Sequence, residues 1–158
     1  MKNKIEIIFI FILCLTLNSC GFKKINQRDK NVIYIQNITI TGDNRISYKL
    51  KNDILLISNK NAKNKYDVNL TILKNKSVKI KDKTGKVTRY NIRLSGDLLL
   101  KNNDSLEKTK KSFYHNSDFD VDANHTSTIS NEKNAFSNTV RQLSEEITNY
   151  IKTHTKTR

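Results

Sequence analysis

The chain has 158 residues, and its 29 Lys and Arg residues exceed its 15 Asp and Glu residues, which gives a net charge of +14. This length excludes a large multidomain protein and predicts one domain with a modest hydrophobic core. The positive charge favours a polyanionic partner. The cationic excess is mostly Lys in a chain rich in Asn and Ile, so the bias of an AT-rich genome is the alternative explanation.

The first 19 residues have the three zones of an export signal. Residues 1–4 are basic, and residues 5–17 form an apolar run that is too short to span a bilayer. The run ends in Leu17, Asn18, Ser19 and Cys20, which resembles the lipobox of bacterial lipoproteins except for the bulkier Asn18. We therefore expect residues 1–19 to be removed and Cys20 to carry the acyl chains that anchor the protein. An ordinary signal that happens to end near a cysteine is the alternative.

Removal of the signal leaves 139 residues, of which we expect 20–31 to form a lipidated tether and 32–154 a single domain. The net charge falls from +14 to +13, because two Lys and one Glu leave with the signal. Cys14 is lost and Cys20 is acylated, so no thiol remains for a disulfide, a metal or nucleophilic catalysis. Export makes nucleic acid a poor partner and leaves lipopolysaccharide as the abundant polyanion. Gly21 after the cysteine resembles the signal for sorting to the outer membrane.

A strand and a helix are predicted at the start of the domain. Residues 32–41 are β-branched and aromatic, which is typical of a strand, and the phase of the buried isoleucines slips at its middle. Asp43 is a good N-cap for the helix that follows and ends near Asn59. One stripe of this helix is apolar at helical spacing, namely Ile46, Leu50, Ile54 and Ile57.

Two long strands, each with one buried face, are predicted between residues 66 and 100, where apolar residues occupy even positions. Val78 and Ile80 keep this phase and are expected to be buried. Buried even positions can face each other only if paired numbers have an even sum. This condition selects a three-residue loop over 83–85 with Gly85 in the left-handed conformation. The resulting register pairs Leu70 with Leu98, Val78 with Tyr90, Ile80 with Thr88, and Lys79 with Arg89.

The outward face of this hairpin is the candidate binding site. Its cations are Lys79, Lys81, Lys83, Lys86, Arg89 and Arg93. Because charge-assisted hydrogen bonds to phosphate are strong, we expect this patch to bind the phosphates of lipopolysaccharide. The alternative is a set of solvated side chains that protects the sheet from edge pairing.

A third strand of the meander is predicted from Leu106 to about Asn116, followed by an extended stretch with Phe119 and Val121 turned inward. The stretch contains aspartates at spacing two, which mimic the start of a calcium-binding loop: Asp118, Asp120 and Asp122. Calcium is not expected, because the required Gly and bidentate Glu are missing. The histidines show no ligand spacing and are expected on the surface: His115, His125 and His154.

The final element is predicted to be a long helix that starts around 128–130 with Ser130 as its cap. Its apolar stripe consists of Phe136, Val140, Leu143, Ile147, Tyr150 and Ile151. A coiled coil has similar spacing, but a sheet that needs a cover favours helices lying on it. The predicted fold is therefore α+β, with two helices packed on one face of a mostly antiparallel sheet of about four strands. No catalytic set or cofactor motif was found, so we expect a protein that is not an enzyme and has no cofactor.

These features together resemble the LptE family of lipopolysaccharide-assembly lipoproteins. The resemblance rests on a lipobox leading into Cys20-Gly21-Phe22, on the order of strands and helices, and on a closing helix with Ala135, Phe136, Leu143 and Ile147. It extends from Cys20 to about Tyr150, although Lys23-Lys24-Ile25 replaces the Leu-Arg-Gly-like stretch common in the family.

The resemblance implies a lipid-anchored protein on the periplasmic side of the outer membrane. Such a protein plugs the barrel of the translocon LptD, helps that barrel to assemble, and passes lipopolysaccharide to the cell surface. Its implied partners are LptD, lipopolysaccharide and the membrane, without nucleic acid. The alternatives are a pilotin that escorts a different outer-membrane barrel and, more distantly, a periplasmic enzyme or peptidoglycan binder.

Overall fold

The structure is a computed structural model that describes residues 33–156; the predicted signal at 1–19, the tether at 20–31 and Cys20 lie outside these residues. The described part of the chain forms four strands and two helices. They are β1 (Ile33–Thr41), α1 (Asn44–Leu56), β2 (Asn64–Lys81), β3 (Val87–Asn102), β4 (Lys108–Asp120) and α2 (His125–Lys156). The α+β fold and the order of its elements are confirmed.

The strands form one sheet in the order β1-β2-β3-β4. β1 runs parallel to β2, with α1 as the connection between them, and the other neighbours are antiparallel. The pairing of β1 with β2 passes from Ile35 to Asn37, which leaves Gln36 as an extra residue in a bulge. A bulge inserts one residue and reverses the facing of those that follow. It therefore accounts for the phase slip predicted in this strand.

Both helices pack on one face of the sheet around a shared core. In α1 the carboxylate of Asp43 accepts the N–H groups of Arg45 at 2.9 Å and Ile46 at 3.3 Å, as expected of an N-cap. The predicted helical stripes are buried or partly buried against the even-numbered side chains of β2 and β3. The best-covered members of this core are Ile46, Leu50, Ile54, Val68, Leu70, Leu94, Leu143, Ile147 and Ile151.

The turn between β1 and α1 requires a glycine. Gly42 has a φ of +135°, and a Cβ at this position would lie 2.4 Å from the carbonyl oxygen of Ile72. The absence of a side chain therefore lets the turn lie directly against β2.

Helix α2 begins earlier than the sequence predicted. It starts at His125, where the side-chain oxygen of Asn124 accepts the N–H of Thr126 at 2.9 Å. The predicted start at 128–130 with Ser130 as the cap was therefore wrong, because an asparagine upstream already satisfies a free N–H group of the first turn. Within the described residues, no helix has the length and apolar character needed to cross a membrane.

The β2–β3 hairpin follows the predicted register over most of its length. Leu70 pairs with Leu98 and Val78 with Tyr90. The loop is closed by the N–H of Asp82, which donates to the carbonyl of Lys86 at 2.9 Å, and Gly85 has the predicted positive φ, +86°.

The register changes close to the loop. Ile80 pairs with Arg89 across an irregularity in β2, so the predicted pairs Ile80–Thr88 and Lys79–Arg89 were wrong. A bulge inserts an extra residue and so removes the direct opposition of Lys79 and Arg89, two like charges that would destabilise the pair.

Strand β4 is longer than predicted and runs to Asp120 instead of about Asn116. Its last residues pair with β3, where Phe119 lies opposite Tyr90 and stacks on its ring at 5.5 Å between centroids. Phe119 is buried and Val121 is half-buried, as expected for inward-facing residues.

Candidate phosphate-binding surface on the β2–β3 hairpin

The far end of the hairpin extends beyond the cover of the helices; we call the loop 82–86 and its flanking residues the tip. Val78 is 47% exposed and Ile80 is 44% exposed, so the prediction that both are buried was wrong. The reason is that α2 packs mainly against β4 and β3 instead of β2, which leaves both side chains open to solvent. The tip is therefore a two-stranded ribbon that is open to solvent.

Two lysines that the sequence analysis did not consider mark the limit of this cover. Lys74 and Lys76 occupy even positions of β2, in the polar stretch between the apolar run that ends at Ile72 and Val78. The ammonium of Lys74 lies 4.3 Å from the ring centroid of Phe136, and that of Lys76 lies 4.8 Å from the centroid of Tyr90. Lys76 also forms an ion pair with Glu132 at 2.8 Å. Cation–π contacts and this ion pair satisfy both lysines within the domain.

Two of the predicted site cations, Lys79 and Arg89, are already paired within the sheet. Lys79 reaches across β3 to form an ion pair with Asp118, which also accepts a hydrogen bond from the Asn91 amide at 2.7 Å. The Nε–H of Arg89 donates to the carboxylate of Asp120 at 2.6 Å. Both cations therefore have counter-ions of the same chain.

The titration of these groups follows from their hydrogen bonds. The hydrogen bond from Lys79, followed by that from Asn91, lowers the pKa of Asp118. The bond to Asp120 raises the pKa of the Arg89 guanidinium. Asp118 and Arg89 are therefore ionised at neutral pH, and the ion pairs that they form offset the charge at the centre of the predicted patch.

The signal for this pairing was present in the sequence. Asp118 and Asp120 were weighed there as calcium ligands, but spacing two in a strand also places both on one face of the sheet. The structure shows this face to be the one that carries Arg89 and Asn91.

Arg93 is separated from the tip by its own aromatic contact. The centre of its guanidinium lies 5.1 Å from the ring centroid of Tyr114 on β4, and both side chains are exposed. Stacking fixes the plane of the guanidinium, which remains a donor to any ligand on this face. Arg93 is therefore an accessible cation that the structure does not group with the loop.

Three lysines remain at the tip, Lys81, Lys83 and Lys86, and all are exposed. None of the three makes an ion pair of 4.0 Å or less with a carboxylate in residues 33–156. The loop also carries Asp82, whose side chain accepts the N–H of Thr84 at 2.8 Å and that of Lys86 at 3.0 Å. The hydroxyl of Thr84 also donates to this carboxylate. The hydroxyl bond first, and then the two N–H bonds, lower the pKa of Asp82. The structure thus presents three lysines in and beside a loop that is held in shape by one aspartate.

The histidines are apart from this surface. His115 lies 2.7 Å from the carboxylate of Glu146, and His154 stacks on Tyr150 and lies 3.0 Å from the hydroxyl of Thr109. Both rings are half-buried. Across residues 33–156, no three His, Cys, Asp or Glu side chains are grouped so that they could hold a metal ion.

A shallow polar groove of about 460 Å³ lies between β4 and α2. Its lining includes an asparagine row at helical spacing, Asn131, Asn134 and Asn138, opposite the end of β4. Asn131 donates to the carbonyl of Asp120 at 3.3 Å, which ties the helix to the strand edge. The lining also includes Asp118 and Asp120, the counter-ions of Lys79 and Arg89. Its two carboxylates are therefore already paired with cations of the hairpin.

Three solved structures with a similar fold are bacterial lipoproteins. Rare lipoprotein B from Shewanella oneidensis matches with a TM-score of 0.60 and 11% identity, over 77% of this chain and 97% of that one. Lipoprotein B from Nitrosomonas europaea matches with a TM-score of 0.56 and 14% identity, over 82% and 90% of the two chains. A lipoprotein from Caulobacter crescentus matches with a TM-score of 0.53 and 14% identity, over 80% and 91%.

No family model matches this chain, and no curated protein matches it. The likeness therefore lies in the fold, at an identity too low to carry residue roles from one chain to another. The chain has the fold of rare lipoprotein B and is similar in architecture to these lipoproteins.

Proposed function

We propose that this protein is an outer-membrane lipoprotein of lipopolysaccharide assembly, anchored through Cys20 and facing the periplasm. In this proposal it plugs the barrel of LptD, helps that barrel to assemble, and assists the delivery of lipopolysaccharide to the outer leaflet. The observation that carries the proposal is the fold, which is similar to that of rare lipoprotein B and has the order of elements on which the resemblance to the LptE family rests. The lipobox is a second feature in its favour, since it is a pattern of the sequence and not of the fold.

The proposed protein acts without catalysis. The half-buried histidines are engaged with Glu146, Tyr150 and Thr109. A folded plug works by occupying the lumen of its partner and by presenting a surface, which requires a rigid core and no reacting group.

Affinity purification of the tagged full chain from its own envelope tests the partner. We expect a large outer-membrane barrel to co-purify with the acylated protein, and mass spectrometry should show diacylglycerol and a further acyl chain on Cys20. A secretin in place of that barrel would favour the pilotin alternative. The absence of both kinds of barrel would contradict the proposal.

The binding of lipopolysaccharide is assigned in this proposal to the exposed lysines of the tip. Replacing Lys81, Lys83 and Lys86 with Ser should weaken binding to purified lipopolysaccharide about five- to tenfold at low salt, because exposed pairs contribute little individually. The matched control replaces three exposed lysines outside the tip, namely Lys51 of α1 and Lys110 and Lys111 of β4. Equal losses in both variants would show that net charge alone, and not the tip, determines the affinity.

A further inference from the structure

We propose that the end of the domain opposite the tip lies on an anionic phospholipid surface, an inference that rests on the proposed anchor at Cys20. We call this end the base and define it as residues 55–65 and 103–108. The N–H of Asn59 donates to the carbonyl of Ile33 at 2.8 Å, and the N–H of Asn103 donates to that of Lys65 at 2.9 Å. Both segments are thus bonded to the end of the sheet at which β1 and β2 begin.

The base exposes leucines on both of these segments. Leu56, the last residue of α1, is 77% exposed, and Leu106, in the loop between β3 and β4, is 69% exposed. Leu55 beside the first is exposed as well. Single exposed leucines are ordinary, but these lie at one end of the molecule on two segments that are far apart in sequence.

The backbone of Leu106 is a second, independent observation. Its φ of +57° makes it the one non-glycine residue with a positive φ in the described part of the chain. This left-handed conformation favours Gly or Asn and is unfavourable for a branched side chain. In water the exposed leucine gains no burial to offset this cost. Strain of this kind is a mark of a functional position, and burial in a membrane interface supplies the missing compensation.

The charge of the base indicates which kind of surface it contacts. The two segments carry four exposed lysines, Lys60, Lys63, Lys65 and Lys108. They carry two carboxylates, those of Asp104 and Glu107. Leucines among lysines are the composition that binds the interface of an anionic bilayer, where apolar side chains enter the headgroup region and cations lie beside the phosphates.

The length of the tether agrees with this placement. Twelve residues separate Cys20 from Ile33, so the acylated cysteine can lie at most about 45 Å from the start of β1. The tip lies at the other end of the 18-residue strand β2, about 60 Å away. The anchor therefore holds the base near the bilayer and leaves the tip in the aqueous space or the lumen of a partner.

The absence of Trp from the chain makes this placement measurable. We would prepare the acylated full-length protein with Leu56→Trp or Leu106→Trp and insert it into vesicles of phosphatidylethanolamine and phosphatidylglycerol that contain brominated lipid. The matched control is Leu73→Trp, which replaces a leucine that is 61% exposed in the middle of the sheet. We expect blue-shifted, quenched emission from both base variants and emission typical of water from the control.

Two further variants separate the contributions. Lys60→Glu with Lys63→Glu, built into the Leu106→Trp chain, should remove the blue shift, because it reverses half of the lysines. Leu106→Gly should raise the thermal stability of the protein in detergent and reduce quenching of the probe at position 56, because it relieves the strain and removes the apolar side chain. A purely structural role of Leu106 would predict the opposite change in stability.

Several outcomes would overturn the proposal. Base variants that emit like Leu73→Trp would show that the base remains in water. A blue shift of the Trp emission at position 56 or 106 that occurs only after the barrel partner is added would identify the base as a protein interface. Co-purification of the barrel with the Leu106→Gly chain is measured in parallel, so loss of the membrane contact with retention of the barrel separates this inference from the proposed function.

Discussion

In both halves of β2 the even-numbered side chains face the side of the sheet that carries the helices, but the two halves have different surroundings. In the first half, Tyr66, Val68, Leu70 and Ile72 are buried beneath the helices. In the second half the corresponding positions are Lys74, Lys76 and Val78, and all are exposed. The comparison teaches that one continuous strand can contribute the core at one end and a solvated ribbon at the other. Stability and surface charge should therefore respond to different substitutions.

Truncation of the core should have the largest effect. Leu143 on α2 is fully buried between the helices and the sheet, so Leu143→Ala should lower the free energy of unfolding by about 3 kcal/mol. Ile80→Ala at the tip should cost less than about 1 kcal/mol, because the side chain is already half in water. Urea unfolding followed by circular dichroism measures both. Similar losses for the two variants would mean that the tip belongs to the cooperative core.

The two glycines of positive φ test the same contrast in the backbone. Gly42→Ala should cost at least about 2 kcal/mol, because strain adds to a clash with Ile72. Gly85→Ala has open space around its new Cβ, so it should cost about 1 kcal/mol from the left-handed conformation alone. Thermal unfolding of the pair gives this order, and equal costs would contradict the contact seen at Gly42.

Releasing a cation at the tip should have a smaller effect. Asp118→Asn removes the counter-ion of Lys79 and lowers the negative charge near Arg89. We expect binding to lipopolysaccharide to strengthen about twofold at low salt and to return to the original value at high salt, because exposed charges are screened. Asp97→Asn, on the same face but bonded to Ser112, is the control. An unchanged affinity would restrict the site to the lysines of the loop.

The smallest effect is a dependence of stability on pH. The pKa of Asp118 is lowered from 3.8 by its bond to Lys79, so the unfolded chain binds this proton more readily than the folded chain. Its contribution to stability is complete above pH 3.8 and is lost as the pH falls through the lower folded value. Urea midpoints between neutral pH and pH 3 should fall less steeply for Asp118→Asn and for Lys79→Ser. Parallel profiles in all three proteins would show that this pair is uncoupled from folding.

Much of the fold could be predicted, because local patterns dictate it. The parity of buried positions determined the pairing of Leu70 with Leu98, and the phase slip in β1 corresponds to the bulge at Gln36. Helical spacing identified both buried stripes. These features depend on period and turn chemistry, which the sequence displays directly.

The predictions of burial, register and helix start were wrong where they depend on how the elements lie relative to one another. Alternation alone does not state how far a helix covers a strand, so Val78 and Ile80 were expected to be buried. The even-sum rule for paired positions takes no account of charge. It therefore missed the bulge that separates Lys79 from Arg89 and relieves their repulsion. The start of α2 was misplaced because Asn124 and Ser130 are both good caps, and only the local fold selects between them.

The candidate site was less predictable than the fold. The sequence named six cations but could not divide them into paired and unpaired side chains, since the counter-ions of Lys79 and Arg89 lie on β4, 39 and 31 residues away. Conversely, the positive φ of Leu106 at the base has no signature in the sequence, because a leucine in a loop is not unusual.

The parallel pairing of β1 with β2 has a mechanical consequence. The chain reaches β1 at Ile33, at the same end of the sheet as the start of β2. A pull applied to Ile33 along the strand direction therefore stresses all the backbone hydrogen bonds of this pair together, in shear, instead of opening them one after another. A pull on Ile33 perpendicular to the strand would open the same bonds one at a time. The resistance of β1 to extraction from this end therefore depends on the direction of the load.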